Sequence, residues 1–512
     1  MRAGRQGDAR PTRLVGSCAP RRPGDPPVRL VNARAVAGVI VLGALTTVLD
    51  TTIVNVALNP LAREFDVPLT TIQWIASGYT LALAAVIPAT AWAMGRFGSR
   101  RLYLMAMGLF TIGSGLAGLA WNAESLIGFR VLQGLGGGMV MPVGMAIIIR
   151  VAAQEGRQGA MMSLLGLPIL VGPVAGPVLG GWLVDEISWR WMFFINLPIG
   201  LLTVVLARRI LPPDAPRPGR RLDVPGLLML SPGLAAVIYG LTRASEGTDG
   251  LGSPTSFLPV VAGIALVTGF VVRALTVDEP LLDLRLLRRR PLAVGAVTSL
   301  LFVTGYFGSM LLAPMYYQDV RDTSVLVSGL LCAPLGLAAG TMMQVAGRLI
   351  DRVPPRLIVL PGVLLAATGL AAFAAQAGPD TPYLRLGIAL AVTGTGVGMV
   401  MMPNIAAATR AISAADAPAA STLLNITSQV AGAIGPAMIS MVLAGQLSAS
   451  SRAGDPAALA GGYQHTYVWG VLVMAAAALP ALLISGRPPE PVAGDGPVDR
   501  PVDVRSREVA DK

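Results

Sequence analysis

Again and again along this chain, apolar residues run on for the length of a membrane crossing, and that recurrence limits the folds open to it. A bilayer core is crossed by about 20 mostly apolar residues in helical conformation. Inside lipid the backbone must satisfy its own hydrogen bonds, which long unbroken apolar runs can do only as helices. Fourteen such runs are predicted: Val36–Leu58, Thr71–Met94, Leu102–Trp121, Leu126–Ile149, Gly159–Val184, Met192–Leu211, Val224–Leu241, Phe257–Ala274, Leu292–Tyr316, Val325–Ile350, Leu357–Gln376, Leu384–Met402, Ala420–Leu443 and Tyr467–Ser485. The composition agrees. Only 13% of residues are charged, against about 25% in a soluble globular protein. The 60 glycines and 40 prolines fall largely within apolar runs, where both are commoner than in soluble helices. The expected class is an all-α polytopic membrane protein.

The arginines orient it, because short cytoplasmic loops collect basic residues. With the N-terminus inside, nineteen arginines fall in inner loops and six in outer ones, namely Arg63, Arg190, Arg243, Arg321, Arg385 and Arg452. Thirteen crossings would scramble this asymmetry, so both termini are expected in the cytoplasm of a cell whose plasma membrane the chain spans. The net charge of +11 then reflects topology, and no nucleic-acid partner is implied. Residues 1–34 read as a disordered polar tail without the features of a cleavable signal, and residues 487–512 as a second tail.

Several absences exclude function classes. The only lysine is Lys512 and the only histidine His465. A Walker A loop needs an internal lysine, a multi-histidine zinc site is ruled out, and a Ser-His-Asp triad is disfavoured. No enzyme activity, cofactor or metal is expected. Cys18 and Cys332 are expected to be passive and unbridged.

A segment of the second predicted span and its following loop, Ala91 to Leu102 with Gly95, Arg96, Gly98, Arg100 and Arg101, recurs after the tenth as Gly347, Asp351, Arg352 and Arg356. Two halves with equivalent inner loops place a shared site between them. The division expected is a six-helix bundle over 35–211, an inserted helix pair with its loops over 212–290, and a second six-helix bundle over 291–486.

Four motifs follow in order. The first span carries Leu49-Asp50-Thr51-Thr52-Ile53-Val54-Asn55; the fourth Arg130-Val-Leu-Gln133-Gly134; the fifth Gly172-Pro173, Gly176-Pro177 and Gly180-Gly181; and the sixth begins Ser188-Trp189-Arg190-Trp191 and runs through Asn196-Leu-Pro198. Together they resemble the major facilitator superfamily, and within it the fourteen-helix drug:proton antiporters. The resemblance implies two six-helix bundles rocking about a central cavity, with two inserted helices, and proton motive force in place of a cofactor. It also assigns proton coupling to Asp50 and Arg130. A charge at membrane depth is costly and usually faces the bundle interior with a partner. Burial favours the neutral acid and a nearby guanidinium the charged one, so relative movement of the two would load and release a proton; a static pair orienting two helices is the alternative. Gln133 is a candidate partner one turn from Arg130. Thr51 and Asn55 are candidates for the same cavity or for capping backbone carbonyls.

Gly172, Gly176 and Gly180 form a smooth stripe for close helix approach, with Pro173 and Pro177 bending the helix. The resemblance assigns gating to the two repeated loops: Arg96, Gly98 and Arg100 in the first, Gly347, Asp351 and Arg352 in the second. Gly95 stands where relatives carry an acid, so the second loop is expected to carry more of the gating. Trp189, Trp191 and Trp469 read as interface anchors.

With one acid at depth, the cargo expected is neutral, zwitterionic or monocationic: a small amphipathic drug or antibiotic, exported by a monomer. Tyr306, Gln344, Asn404, Asn425 and Gln429 are candidates to line its cavity, each with helix packing as the alternative, beside adaptable methionines such as Met343 and Met402. A proton crossing roughly 150–200 mV gains about 4 kcal/mol at about 2.3 kcal/mol per charge per 100 mV, which sustains a gradient of about a thousand-fold. Competing readings are an uncoupled or proton-symporting facilitator of a metabolite, and a ligand sensor on a transporter scaffold.

Overall fold

The computed structural model describes residues 33–67, 69–155, 158–213, 222–246, 252–410, 412–413, 416–450 and 456–484. Among these every regular element is helical. The first half contains α1 (Ala33–Glu64), α2 (Leu69–Val86), α3 (Thr90–Phe97), α4 (Ser99–Gly118), α5 (Ala123–Glu155), α6 (Gln158–Leu165), α7 (Leu167–Glu186), α8 (Trp191–Phe194) and α9 (Asn196–Ile210). Then come α10 (Val224–Glu246) and α11 (Pro254–Thr276). The second half contains α12 (Arg290–Met310), α13 (Leu312–Asp319), α14 (Val325–Leu349), α15 (Arg356–Gln376), α16 (Tyr383–Thr409), α17 (Ala417–Ser450), α18 (Pro456–Ala476) and α19 (Ala478–Ala481).

Eleven described helical stretches are long and apolar enough to cross a membrane. The other three predicted crossings are covered by α4, by α6 with α7, and by α18 with α19, so a count of fourteen fits. Some crossings are broken where proline or glycine interrupts the backbone ladder. The second turns through a 3₁₀ segment, Ile87–Ala89, around Pro88. The fifth breaks at Gly166, just before Pro168. Gly98 joins α3 to α4 at φ 83°, a left-handed conformation that glycine adopts without steric penalty. The two polar tails lie almost wholly outside the described residues.

In the first bundle α1 packs on α5, α7 and α9, and α4 on α5 and α9; in the second α12 packs on α16, α17 and α18, and α15 on α16 and α18. The inserted α10 packs on α11 and also touches α2 and α17. Leu230, Leu234, Phe270 and Ala274 of the insertion share an apolar cluster with Trp92 of α3 and with Ile426 and Val430 of α17. The insertion therefore lies over the seam between the bundles.

The two ends of that seam differ. At the arginine-rich end one apolar cluster joins Met145, Ile149, Met161 and Leu165 of the first bundle to Met343, Ala346, Met402 and Leu424 of the second. A Cβ on Gly166 would stand 2.2 Å from the Met343 Sδ, so the break in the fifth crossing is also where the second bundle leans in. Gln344 Nε2 donates to the Ser163 carbonyl across the seam at 3.2 Å. Toward the opposite end the bundles keep separate cores. The arginine-rich end is thus the sealed one.

One expectation about the rim needs correction. Trp189 is not an exposed interface anchor: it is buried, edge-on to Phe65 and Phe193, because the short turn before α8 folds its ring into the first bundle. Trp191 and Trp469 are half exposed, as a belt position requires.

Candidate functional site

Five helices of the first bundle converge on Asp50. The residue sits on α1, and Arg130 and Gln133 lie one turn apart on α5, so both face it. Arg130 Nη1 donates to Asp50 Oδ2 at 2.5 Å and to Gln133 Oε1 at 2.8 Å. Gln133 Nε2 donates to Asp50 Oδ1 at 2.9 Å. Asn196, the first residue of α9, also donates to Oδ1 at 2.9 Å through Nδ2, which further contacts Ser114 Oγ of α4 at 3.1 Å. The Ser114 hydroxyl in turn donates to the Phe193 carbonyl at 2.9 Å. From α2, the Ile75 carbonyl accepts from Arg130 Nε at 3.3 Å, and the Tyr79 ring lies 4.0 Å from the guanidinium carbon.

Asp50, Arg130, Gln133, Asn196 and Ser114 are all buried. Arg130 stands about two turns into α5, roughly 10 Å at about 1.5 Å per residue, so the site lies toward the arginine-poor end of the bundle. Its carboxylate accepts three hydrogen bonds and donates none, the pattern of an ionised acid. Three of its roughly four lone-pair sites are taken, and Oδ2, which accepts from Arg130 alone, has the free one. A proton there removes the charge that strengthens the bonds from Arg130, Gln133 and Asn196, each carried on a helix different from that of Asp50.

The glycine stripe lies against the same stretch of α1. A Cβ on Gly172 would stand 2.3 Å from Val48 Cγ1, and one on Gly176 2.0 Å from Thr52 Oγ1. Thr52 donates to the Gly172 carbonyl at 3.1 Å, and Gly180 faces the Ile53 carbonyl. The side chains of Asn55, Pro173 and Pro177 lie outside the described residues.

The remaining candidates are spread out. Thr51 donates to its own helix, at the Thr47 carbonyl, 3.0 Å away. Tyr306 is buried in the core of the second bundle. Asn404 ties α16 to α12 through the Gly295 carbonyl at 2.8 Å and Ser299 Oγ at 2.9 Å, leaving Oδ1 unpartnered. Gln344 and Asn425 lie at the seam, where Asn425 Nδ2 is 3.9 Å from Met145 Sδ. Gln429 is half-buried on α17. In the first repeated loop Arg100 holds the Arg208 carbonyl and Arg96 is exposed. In the second, Gly347 is buried and Arg352 exposed. Asp351 lies 4.0 Å from Arg410, whose Nη2 donates to the Ile350 carbonyl at 2.7 Å. Burial lowers the Arg410 pKa, an effect that the nearby Asp351 opposes. The Arg100–Arg208 and Asp351–Arg410 contacts each join helices of one bundle.

Sequence reasoning missed Asn196, Ser114 and Tyr79 as site members. Asn196 had a signal, an amide inside an apolar motif, whereas Ser114 and Tyr79 had none. Among the described residues no group of three or more His, Cys, Asp or Glu side chains is placed to hold a metal.

The profile of the Major Facilitator Superfamily matches residues 40–436. The multidrug resistance protein B homolog of Mycobacterium tuberculosis is 41% identical over 417 residues, covering 81% of this chain and 77% of its own. The puromycin resistance protein pur8 of Streptomyces alboniger is 32% identical, covering 84% and 86%. Among solved structures, the human organic anion transporter MFSD10 superposes with a TM-score of 0.60 at 15% identity, over 86% of this chain and 99% of that one. The proton:xylose symporter XylE gives 0.56 at 15% identity, over 86% and 95%, and at such identities the likeness speaks for the fold alone. By the profile match and the close relatives, the chain belongs to the Major Facilitator Superfamily of membrane transporters.

Proposed function

We propose that the protein is a proton-coupled antiporter that exports small amphipathic drugs or antibiotics across the plasma membrane, with the arginine-rich end in the cytoplasm. The observation that carries this is the sealed, donor-only nest around Asp50. A static pair would need only Arg130. Here α5 and α9 both donate to the carboxylate carried by α1, so a proton on Asp50 weakens contacts among three helices at once. Breaking such a pair by removing one partner costs about 3–5 kcal/mol, comparable to the roughly 4 kcal/mol carried by one proton down its gradient.

The sealed seam corresponds to one state of this cycle. Closed at the arginine-rich end, the protein is in the state from which an exporter releases cargo outward and takes up a proton. Protonation loosens the nest and lets the bundles rock; cytoplasmic cargo then displaces the proton inward. Relatives named for puromycin, lincomycin and multidrug resistance point to amphipathic antibiotics as cargo. The test is puromycin movement in proteoliposomes under an imposed pH gradient. Wild type should accumulate the drug uphill and Asp50→Asn should not; uphill accumulation by Asp50→Asn would overturn the proposal.

A further inference from the structure

Toward the arginine-poor end, α2 and α10 part around a cavity of about 170 Å³, away from the Asp50 site. One face of α2 lines it with Gln73, Trp74, Ser77 and Thr80, and α10 faces them with Tyr239 and Arg243. Ile75 and Tyr79 of the same α2 instead meet Arg130, so the helix separates two sites. The Trp74 and Tyr239 rings stack across the gap, centroids 5.7 Å apart and planes at 24°. Arg243 Cζ lies 5.6 Å from the Tyr239 centroid, and its Nε contacts the Tyr239 hydroxyl at 3.3 Å.

The guanidinium differs from others at this end. Arg190 faces Glu64 at 3.9 Å, and Arg321 is held by the Gly378 and Thr381 carbonyls. Among the described residues Arg243 has only its own helix's tyrosine, which leaves four N–H donors of the guanidinium fork. Among the described residues no acidic side chain lines the cavity, so Arg243 gives its lining a net positive charge. The surface beside it is apolar. Gly240 lets α11 close onto α10, since a Cβ there would stand 2.7 Å from the Ser256 carbonyl, and α11 exposes Phe257, Leu258, Val261 and Ile264. Trp74 is itself partly exposed.

A cation, polar donors and an aromatic shelf, flanked by a lipid-facing apolar strip, match one kind of molecule. We propose that this cavity binds the headgroup of an anionic phospholipid of the outer leaflet. Arg243 takes the phosphate, the Trp74–Tyr239 pair carries the glycerol region, and the acyl chains lie along α11. The lipid thereby fixes the insertion against α2 at the unsealed end of the seam.

The test uses purified full-length protein in mixed micelles, with brominated phosphatidylglycerol or brominated phosphatidylcholine as quencher. The Trp74 signal is the difference between wild type and Trp74→Phe. Phosphatidylglycerol should quench it at about five-fold lower mole fraction, the preference one arginine gives near anionic lipid. Arg243→Gln should abolish that preference and Arg243→Lys should retain most of it, which separates headgroup binding from collapse of α10. Excess inorganic phosphate should not displace the lipid. Equal quenching by the two lipids would make Trp74 an ordinary interface anchor and overturn the proposal. A preference that survives Arg243→Gln, or is lost to inorganic phosphate, would overturn it as well.

Discussion

Replacing Arg130 by methionine keeps an apolar side chain of similar reach but strips away the cation that faces Asp50. The structure gives the size of the effect. Arg130 contributes the bond to Asp50 Oδ2, the bond to Gln133 Oε1, the bond to the Ile75 carbonyl and the stack on Tyr79. Leaving a buried charge without its partner costs about 3–5 kcal/mol. Adding Asp50→Asn removes that charge while keeping an amide oxygen for Gln133 and Asn196 to address. The two acceptors orphaned with Arg130, Gln133 Oε1 and the Ile75 carbonyl, are common to both variants and cancel. The double variant should therefore be more stable than Arg130→Met by about 3 kcal/mol, the lower end of that cost, or about a hundred-fold in the folded-to-unfolded ratio. Thermal unfolding of the purified proteins, with the two single variants completing the cycle, measures this. A double variant no more stable than Arg130→Met would show that the two residues do not act as a desolvated pair.

Other regions give separate expectations. Gly176→Leu must push α7 off Thr52 of α1, where even a Cβ would collide; overpacking of this kind costs about 1–3 kcal/mol, and drug export should fall while Gly181→Ala, facing open space, leaves it unchanged. Gly95 has nothing within 4 Å of an added Cβ, so Gly95→Asp should be tolerated and change export little, whereas Asp351→Asn, which removes the charge facing Arg410, should slow it; equal small effects would refute the assignment of gating to the second loop. Burial alone would raise the Asp223 pKa, but hydrogen bonds from the Gly226 N–H, Arg273 and the Leu281 N–H bring it below the usual carboxylate value. The stability it gives the insertion is thus fully present above the ordinary value of about 3.9 and is lost as pH falls through the lower folded value. Hydrogen exchange over 274–282 should rise in Asp223→Asn at neutral pH, and the difference from wild type should vanish in strong acid.

How much of this could be read in advance depends on the kind of signal. Membrane crossings declare themselves through apolar length, and each predicted segment coincides with helix. The ends of the helices do not, because polar residues continue a helix past the lipid: α1 runs to Glu64 and α5 to Glu155. The breaks at Gly166 and around Pro88 have local signals in glycine and proline, but Pro142 and Pro232 lie inside unbroken helices, so the pattern alone does not say which of these residues break a crossing. In the candidate site, Asp50 and Arg130 stood out because charges are rare inside apolar runs, and Gln133 followed from helical spacing. Ser114 and Tyr79 were invisible for the reason Thr51 stayed open between the cavity and a backbone carbonyl: a lone polar side chain in a helix can satisfy itself on its own backbone, as Thr51 does at Thr47, or reach across, as Ser114 does at Phe193. Only packing decides between the two.

The central claim is that the Asp50 carboxylate exchanges a proton when cargo binds. Infrared difference spectroscopy reads this directly, through the carbonyl stretch of a protonated carboxylic acid on addition of puromycin to protein reconstituted in lipid. The account predicts a carboxylic acid band that disappears as the drug binds, is absent from Asp50→Asn, and is matched by protons released to the buffer. A drug-binding spectrum with no carboxylic acid band, from protein that exports puromycin in the same vesicles, would contradict it.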